Sequence, residues 1–563
     1  MSATLMAIMG LGAMFLGYRF YSNFIAKKIY QLDPNFETPA HAMRDDVDYL
    51  PTKRLVLWGH HFTTVAGASP IVGPGIAVIW GWLPAVIWVT VGTVFLAGVH
   101  DFGAIWASVR NRGRSMGALT GDIVSTRSRS LFMIVIFLLL LMVNAVFAVV
   151  ISTAFVATPS SVIPTWASLP VAIAIGLLIY KARVGLLWPT VVGTILLYSA
   201  IFLGSVMPIS LPTELFGLSA SVQWILILFA YCAIASLLPV WLLLQPRDFI
   251  NGVQLFVGLG LMYGAIFLAR PTVVAPAINL NVPPGAPPLM PLLFVTIACG
   301  AISGFHGLVG SGTTSKQLDK EPDSRFVGYL GALGEGSLAL VTIIAATAGF
   351  ASLADWEGMY SSFGQGGVLA FVTGGASILN RGFGLSVPFA STMLTVMAVL
   401  FAATTMDSAV RLQRYIIQEW GAIYRLPLLQ NAYAATFFAV GTCLMLVFGA
   451  GGSTGTGGMV LWPLFGTTNQ LLAGLTLLVI SVMLVKLGRP ARYTLVPMIF
   501  VTGVSLLAAL YQLWSLYARS QYLLLVVDLL IIIAALFVIL EAASALMRER
   551  RAASARAVPS FAP

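Results

Sequence analysis

Apolar stretches of roughly 17 to 25 residues, each long enough to cross a ~30 Å hydrocarbon core, alternate with short polar connections along nearly the whole chain. About fifteen can be marked off on that length criterion. They lie near residues 3–18, 62–80, 83–109, 130–157, 163–180, 185–207, 222–244, 253–269, 289–313, 327–353, 387–410, 431–450, 459–485, 493–516 and 523–546. The pattern predicts an all-α polytopic membrane protein, because only helices satisfy their own backbone within lipid at this segment length. The spacing divides the chain into an N-terminal anchor helix with its loop (1–55), a core (56–420), additional transmembrane helices (421–547) and a basic tail (548–563).

Charge tests the count. Of the 30 Lys and Arg residues, only Arg270, Arg381 and Arg519 fall in one set of alternate connections, and the remaining 27 fall in the other. An excess of basic residues marks the cytoplasmic side, so the amino terminus is expected outside and the carboxyl terminus inside. A missed or invented span would invert every later connection. Composition agrees: 59% of residues are hydrophobic, 9% are charged and the mean hydropathy is +0.93. The net charge of +10 is therefore spent on topology and gives no reason to expect a nucleic-acid partner. With no cleavage-site pattern behind it, the first span is expected to stay as an anchor. Cys232, Cys299 and Cys443 all lie in spans, where isolated packing is expected.

Three spans depart from plain apolar helix. "AGASPIVGPG" in 62–80 carries Pro70 and Pro74, each without an N–H and each disfavouring helix before it. "CGAISGFHGLVGSGTTSKQ" in 289–313 alternates glycines with Ser303, His306, Ser311, Thr313 and Thr314, and 222–244 has Pro239 in its middle. Irregular backbone at membrane depth persists only where protein buries it or water wets it, so these breaks read as ligand-bearing. The span at 222–244 follows the span at 62–80 by five and runs the opposite way. That is the arithmetic of a five-plus-five inverted repeat, LeuT-like, with the second half opening at 222–244.

"GHHFTTVAGASPIVGPGIAVIWGWLPA", "VHDFGAIWASVRNRGRSMG", "LPVWLLLQPRDFIN", "CGAISGFHGLVGSGTTSKQLDKE", "TTMDSAVRLQRY" and "LWPLFGTTNQLLAG" occur in order between Leu50 and Gly474. Together they resemble the carbon starvation protein CstA family. The resemblance implies a bacterial inner-membrane transporter of the five-plus-five superfamily, associated with uptake of pyruvate and of peptides during carbon starvation. It also implies a coupling cation held between the first broken helix and hydroxyls of the eighth core helix, which on the spacing above is 289–313.

The expected substrate and ion site therefore comprises Ala66, Gly67, Ala68, Ser69, Gly73 and Gly75 with His306, Ser311, Thr313 and Thr314. The half-helix after Gly75 would offer its amides to a carboxylate. Embedded ionisable groups are functional candidates by default, which singles out His100, Asp101, Glu335 and Asp407 for proton coupling. Asp407 stands four residues before Arg411, the spacing of a helix-face ion pair. His60 and His61 read as vestibule groups, since no further ligands at metal spacing accompany them. No catalytic or cofactor motif is present, so the expectation is a secondary symporter for a small carboxylate or peptide. Its coupling ion would be H⁺, with Na⁺ the alternative, and its only fixed partners the bilayer and a second copy or a small accessory membrane protein. A membrane nutrient sensor, the rival from another class, would need a larger cytoplasmic surface than these connections offer.

Overall fold

The computed structural model describes residues 1–45, 48–182, 184–185, 187–239, 242–451 and 457–557. Within these it is built almost wholly of helices, apart from a two-residue hairpin pairing Glu214–Leu215 with Leu218–Ser219. Thirteen helices are long and apolar enough to cross a membrane, and the bent pair Arg54–Ala66 and Ser69–Trp80 makes a fourteenth. Leu289–Gln317 completes the expected set as an interrupted crossing of short helices. Two elements outrun the sequence pattern. The first helix continues through Tyr30, and Val387–Ile423 runs 37 residues without a break.

The first broken helix bends by 48°. Its break falls at Gly67, whose φ of +45° is a conformation that L side chains avoid. The prolines do not make the break. Pro70 stands in the first turn of the second half, Ser69–Ala77, where a missing N–H costs nothing, and Pro74 is carried inside that half. The amides freed for the site are consequently those around Ser69, not those after Gly75.

The second break is not where the repeat spacing puts it. Ala220–Leu237 is uninterrupted, and Pro239 follows its last residue, ending the helix instead of kinking it. The interruption lies at 297–303, between Leu289–Thr296 and Gly304–Val309. The break expected in 222–244 is thereby corrected: among the described residues the second interrupted crossing is Leu289–Gln317. The two run antiparallel, as inverted halves require, and their basic-side ends meet where Thr52 N donates to Gln317 O at 3.0 Å.

Neighbours satisfy the freed backbone of the second break. Trp88 Nε1 donates to Ile297 O at 3.1 Å, Thr93 Oγ1 to Gly300 O at 2.8 Å and Trp462 Nε1 to Thr296 O at 3.3 Å. Each broken helix is followed by a straight one, Trp82–Arg110 and Arg325–Ala348, and these two pack on each other through glycines. A Cβ at Gly98 would meet the Tyr329 ring, and one at Gly328 the Phe102 backbone. A further helix, Gly367–Phe383, has no counterpart in the predicted spans; it is amphipathic, its Gly374 presses on Ala345 O, and Gly366 just before it presses on Gly75 O.

Gly300 has a φ of +93°, and a Cβ there would lie 2.7 Å from Ala339 Cβ. Gly300→Ala should lower stability by about 1–3 kcal/mol, read as an earlier thermal unfolding transition in detergent. Gly312→Ala, with nothing within 4 Å of its Cβ, should leave the transition in place. Equal transitions for both variants would show that the break is not held in this conformation.

Candidate functional site

The sequence motifs converge on two buried polar centres. The first lies beside the second break. His100 and Asp101 come from Gly98–Arg110, His306 from the short helix Gly304–Val309 and Glu335 from Leu330–Ala348. Asp101 joins two of them: its Oδ1 is 2.7 Å from His100 Nδ1 and its Oδ2 is 2.7 Å from His306 Nδ1. The other ring nitrogen of His306 lies 3.1 Å from Glu335 Oε2, within ion-pair range but out of line for a hydrogen bond. All four residues are buried, and His100 Nε2 and Glu335 Oε1 have no partner. The result is a chain of exchangeable groups, His100, Asp101, His306 and Glu335, that joins three elements.

Glycines make this geometry possible. A Cβ on Gly307 would lie 3.2 Å from His100 Cε1, so a larger residue would crowd the imidazole. Gly331 likewise faces His61 Cδ2 at 2.8 Å from its virtual Cβ. His61 is fully buried, and its Nδ1 is 2.8 Å from Thr314 Oγ1, linking the first broken helix to the second. It is an interior group, not the vestibule group its position suggested. His60 is only half-buried.

The hydroxyls predicted around the cation divide. Thr314 is held by His61, Ser311 Oγ donates to Gly307 O at 2.6 Å, and Thr313 Oγ1 donates to Val309 O at 2.9 Å from an exposed position. Ser311 and Thr313 thus bond to their own helix, the usual fate of a helical hydroxyl. The hydroxyl that faces the first break is Thr405, on Val387–Ile423. A Cβ at Gly67 would sit 3.0 Å from its Oγ1, which is buried and unpartnered. Ala66, Ala68 and Ser69 are buried around the same bend. Gly73 and Gly75 are close-approach positions, against Thr296 O and Gly367, and Gly75 O accepts from Tyr360 Oη at 2.6 Å.

The second centre surrounds Asp407. The spacing to Arg411 suggests an ion pair, but Arg411 donates instead to Ala235 O and Leu238 O, both at 2.9 Å. Asp407 pairs with Arg247, which is also buried, and accepts from Tyr231 Oη at 2.7 Å and from Cys232 Sγ at 3.1 Å. Arg247 Nη1 also donates to Tyr231 Oη at 2.6 Å. A helix-face pair within one span would leave both charges partly bare. The cross-helix pair covers them from three sides. Sequence reasoning missed Arg247, Thr405, Cys299 and Asn469, although every one lies in a quoted motif. Asn469 is the plainest case: its Oδ1 accepts from Phe305 N at 2.9 Å and its Nδ2 donates to Ser303 Oγ at 3.0 Å, fastening Gly457–Lys486 to the second break.

The chain matches the family described as carbon starvation protein CstA over residues 2–361 and 350–508. It is 35% identical over 550 residues to the "Peptide transporter CstA" of Campylobacter jejuni, covering 87% of this chain and 77% of that one. It is 30% identical over 610 residues to the "Pyruvate/proton symporter BtsT" of Escherichia coli, covering 92% of this chain and 84% of that one. Among solved structures it is similar to a manganese transporter of Eremococcus coleocola, with a TM-score of 0.48, 13% identity, and coverage of 90% of this chain and 99% of that one.

Removing one member of a buried ion pair strands the other. Arg247→Met should therefore cost about 3–5 kcal/mol, whereas Arg247→Met combined with Asp407→Leu should recover much of the loss. Thermal unfolding of the three proteins checks this. Additive losses in the double variant would mean that the two side chains are not a pair.

Proposed function

The chain belongs to the carbon starvation protein CstA family, and we propose that within it this protein is a proton-coupled symporter importing a small carboxylate, with pyruvate as the first substrate to test. A transporter role follows from the family and from the multi-pass architecture. Substrate and coupling ion are the proposal. One observation carries the proton: the buried chain His100, Asp101, His306 and Glu335, which spans from the helix after the first break to the helix after the second.

Two carboxylates and two neutral imidazoles carry two negative charges, so the cluster is neutral only when it holds two further protons. In a low-dielectric interior an uncompensated charge is costly, and the neutral form is favoured. Moving the second broken helix would change the contact between His306 and Glu335, and with it the proton count. Proton uptake and conformation are coupled by that step. A monoanion entering with one H⁺ is electroneutral and draws on the pH gradient alone, whereas each unbalanced charge adds about 2.3 kcal/mol per 100 mV.

The proton reading agrees with the name of the E. coli relative, a pyruvate/proton symporter. Relatives named peptide transporter, such as that of C. jejuni, favour a second reading in which the same cycle carries short peptides. Na⁺ coupling would instead use Thr405 Oγ1 with the backbone at Gly67. The positive-inside rule supports a cytoplasmic basic side, and the proposal takes the chain to lie in a bacterial inner membrane with its amino terminus in the periplasm. A second copy or a small accessory membrane protein would be lateral partners.

Sealed vesicles of the purified protein test this. Without sodium, an inward proton gradient should drive accumulation of labelled pyruvate, or of a di- or tripeptide if the second reading holds. Glu335→Gln should abolish accumulation while preserving counterflow exchange. Strict sodium dependence with no response to the pH gradient would refute the proton assignment, and no accumulation of either class would refute both substrates.

A further inference from the structure

Cys299 sits inside the second break, His306 on the helix that follows it and Glu335 on the next span. Their ligand atoms, Cys299 Sγ, a ring nitrogen of His306 and a carboxylate oxygen of Glu335, all lie within 4.8 Å of one another, and all three residues are buried. Asp101 occupies His306 Nδ1, which leaves Nε2 as the free nitrogen. Nε2 and Glu335 Oε1 both lack a hydrogen-bond partner. Unsatisfied polar atoms in a dry interior are costly, and these two converge with a sulfur.

We propose that Cys299, His306 and Glu335 form a binding site for a thiophilic divalent transition metal of the Zn²⁺ class, and that its occupation arrests transport. The second clause rests on the proton reading above; the first does not. One sulfur, one imidazole and one carboxylate suit Zn²⁺, Co²⁺ or Cd²⁺ and suit Mg²⁺ or Ca²⁺ poorly. Bonds of about 2.0–2.3 Å place tetrahedral ligand atoms roughly 3.3–3.8 Å apart, so side-chain rotation closes the site around an ion. The surroundings are those of a metal centre. Asp101 holds the far nitrogen of the ligating histidine, and Asn469 Nδ2 donates to Cys299 Sγ at 3.1 Å, fixing the sulfur beside the break.

Charge closes the argument. A dication with one thiolate and one carboxylate is neutral, the state a buried site tolerates. The ion replaces the thiol proton and the proton carried between His306 and Glu335, and both leave to solvent. With Cys299, His306 and Glu335 tied to one ion, the second break, the helix that follows it and the next span are fastened together, and the cycle stops.

Co²⁺ is the probe. Added to chelator-treated purified protein, it should produce a thiolate-to-cobalt charge-transfer absorption that saturates at one equivalent and is displaced by Zn²⁺. Cys299→Ser should remove the band, Glu335→Gln should weaken binding by ~10–100-fold or more, and Cys232→Ser and Cys443→Ser should retain it. A wild-type measurement guards against misfolding of the variant: Zn²⁺ should protect Cys299 from alkylation, read by mass spectrometry, without protecting Cys232 or Cys443. Absence of the band, or a band that survives Cys299→Ser, overturns the site. In vesicles, saturating Zn²⁺ should abolish wild-type uptake and spare Cys299→Ser. Uptake untouched by Zn²⁺ in a cobalt-binding protein overturns the arrest. A protein that binds cobalt but shows no proton-driven uptake refutes only the proton reading.

Discussion

Asp101 is a buried carboxylate, and much of the centre is arranged to compensate that charge. Two imidazoles reach it from opposite directions, His100 from the neighbouring position and His306 from across the bundle. The second requires the chain to abandon helix at 297–303, so that Gly304–Val309 can start afresh with His306 turned towards Asp101. Breaking that helix frees carbonyls, and Trp88, Thr93 and Trp462 are placed to take them. Glycine at 307 leaves room for the His100 ring. Charge compensation, helix interruption and close packing are thus one requirement met at three levels.

The two polar centres differ in the way function demands. Around Asp407, a guanidinium, a phenol and a thiol surround one carboxylate, and the pair with Arg247 is permanently charged. Arginine does not release its proton under any physiological condition. Such a centre fastens Ala220–Leu237, Leu244–Ala269 and Val387–Ile423 together. The Asp101 centre contains only groups that exchange protons, and three of its polar atoms, His100 Nε2, His306 Nε2 and Glu335 Oε1, lack hydrogen-bond partners. One centre holds the scaffold, and the other can change its charge.

Most spans were legible because hydrophobic length marks each crossing and the distribution of Lys and Arg checks their alternation; thirteen helices and one bent pair meet the length criterion among the described residues. The nature of each break was less so. Proline marks positions where helix is disfavoured, but whether it ends, starts or kinks a helix depends on what lies before it. Pro70 starts one, Pro239 follows the end of another, and the true break needs only Gly67. His100, Asp101, His306 and Glu335 were legible singly, since charge in a membrane segment is conspicuous. Their association was not, because it depends on which spans are neighbours. The same limit assigned Asp407 to Arg411, a partner in sequence, when its partner in space is Arg247. It also set Thr313 and Thr314 opposite the first break. Moving the second broken helix to Leu289–Gln317 moves the facing helix to Val387–Ile423, and Thr405 takes that place.

Proton coupling requires the cluster at the second break to change its protonation during the cycle. Infrared difference spectroscopy of the protein in lipid, before and after substrate is added, reports protonated carboxyl groups directly through their C=O stretch. Substrate should change that band in the wild type, and Glu335→Gln should remove the change while substrate still binds. A carboxyl signal that does not respond to substrate, or one that persists unaltered in Glu335→Gln and Asp101→Asn alike, would contradict the central claim.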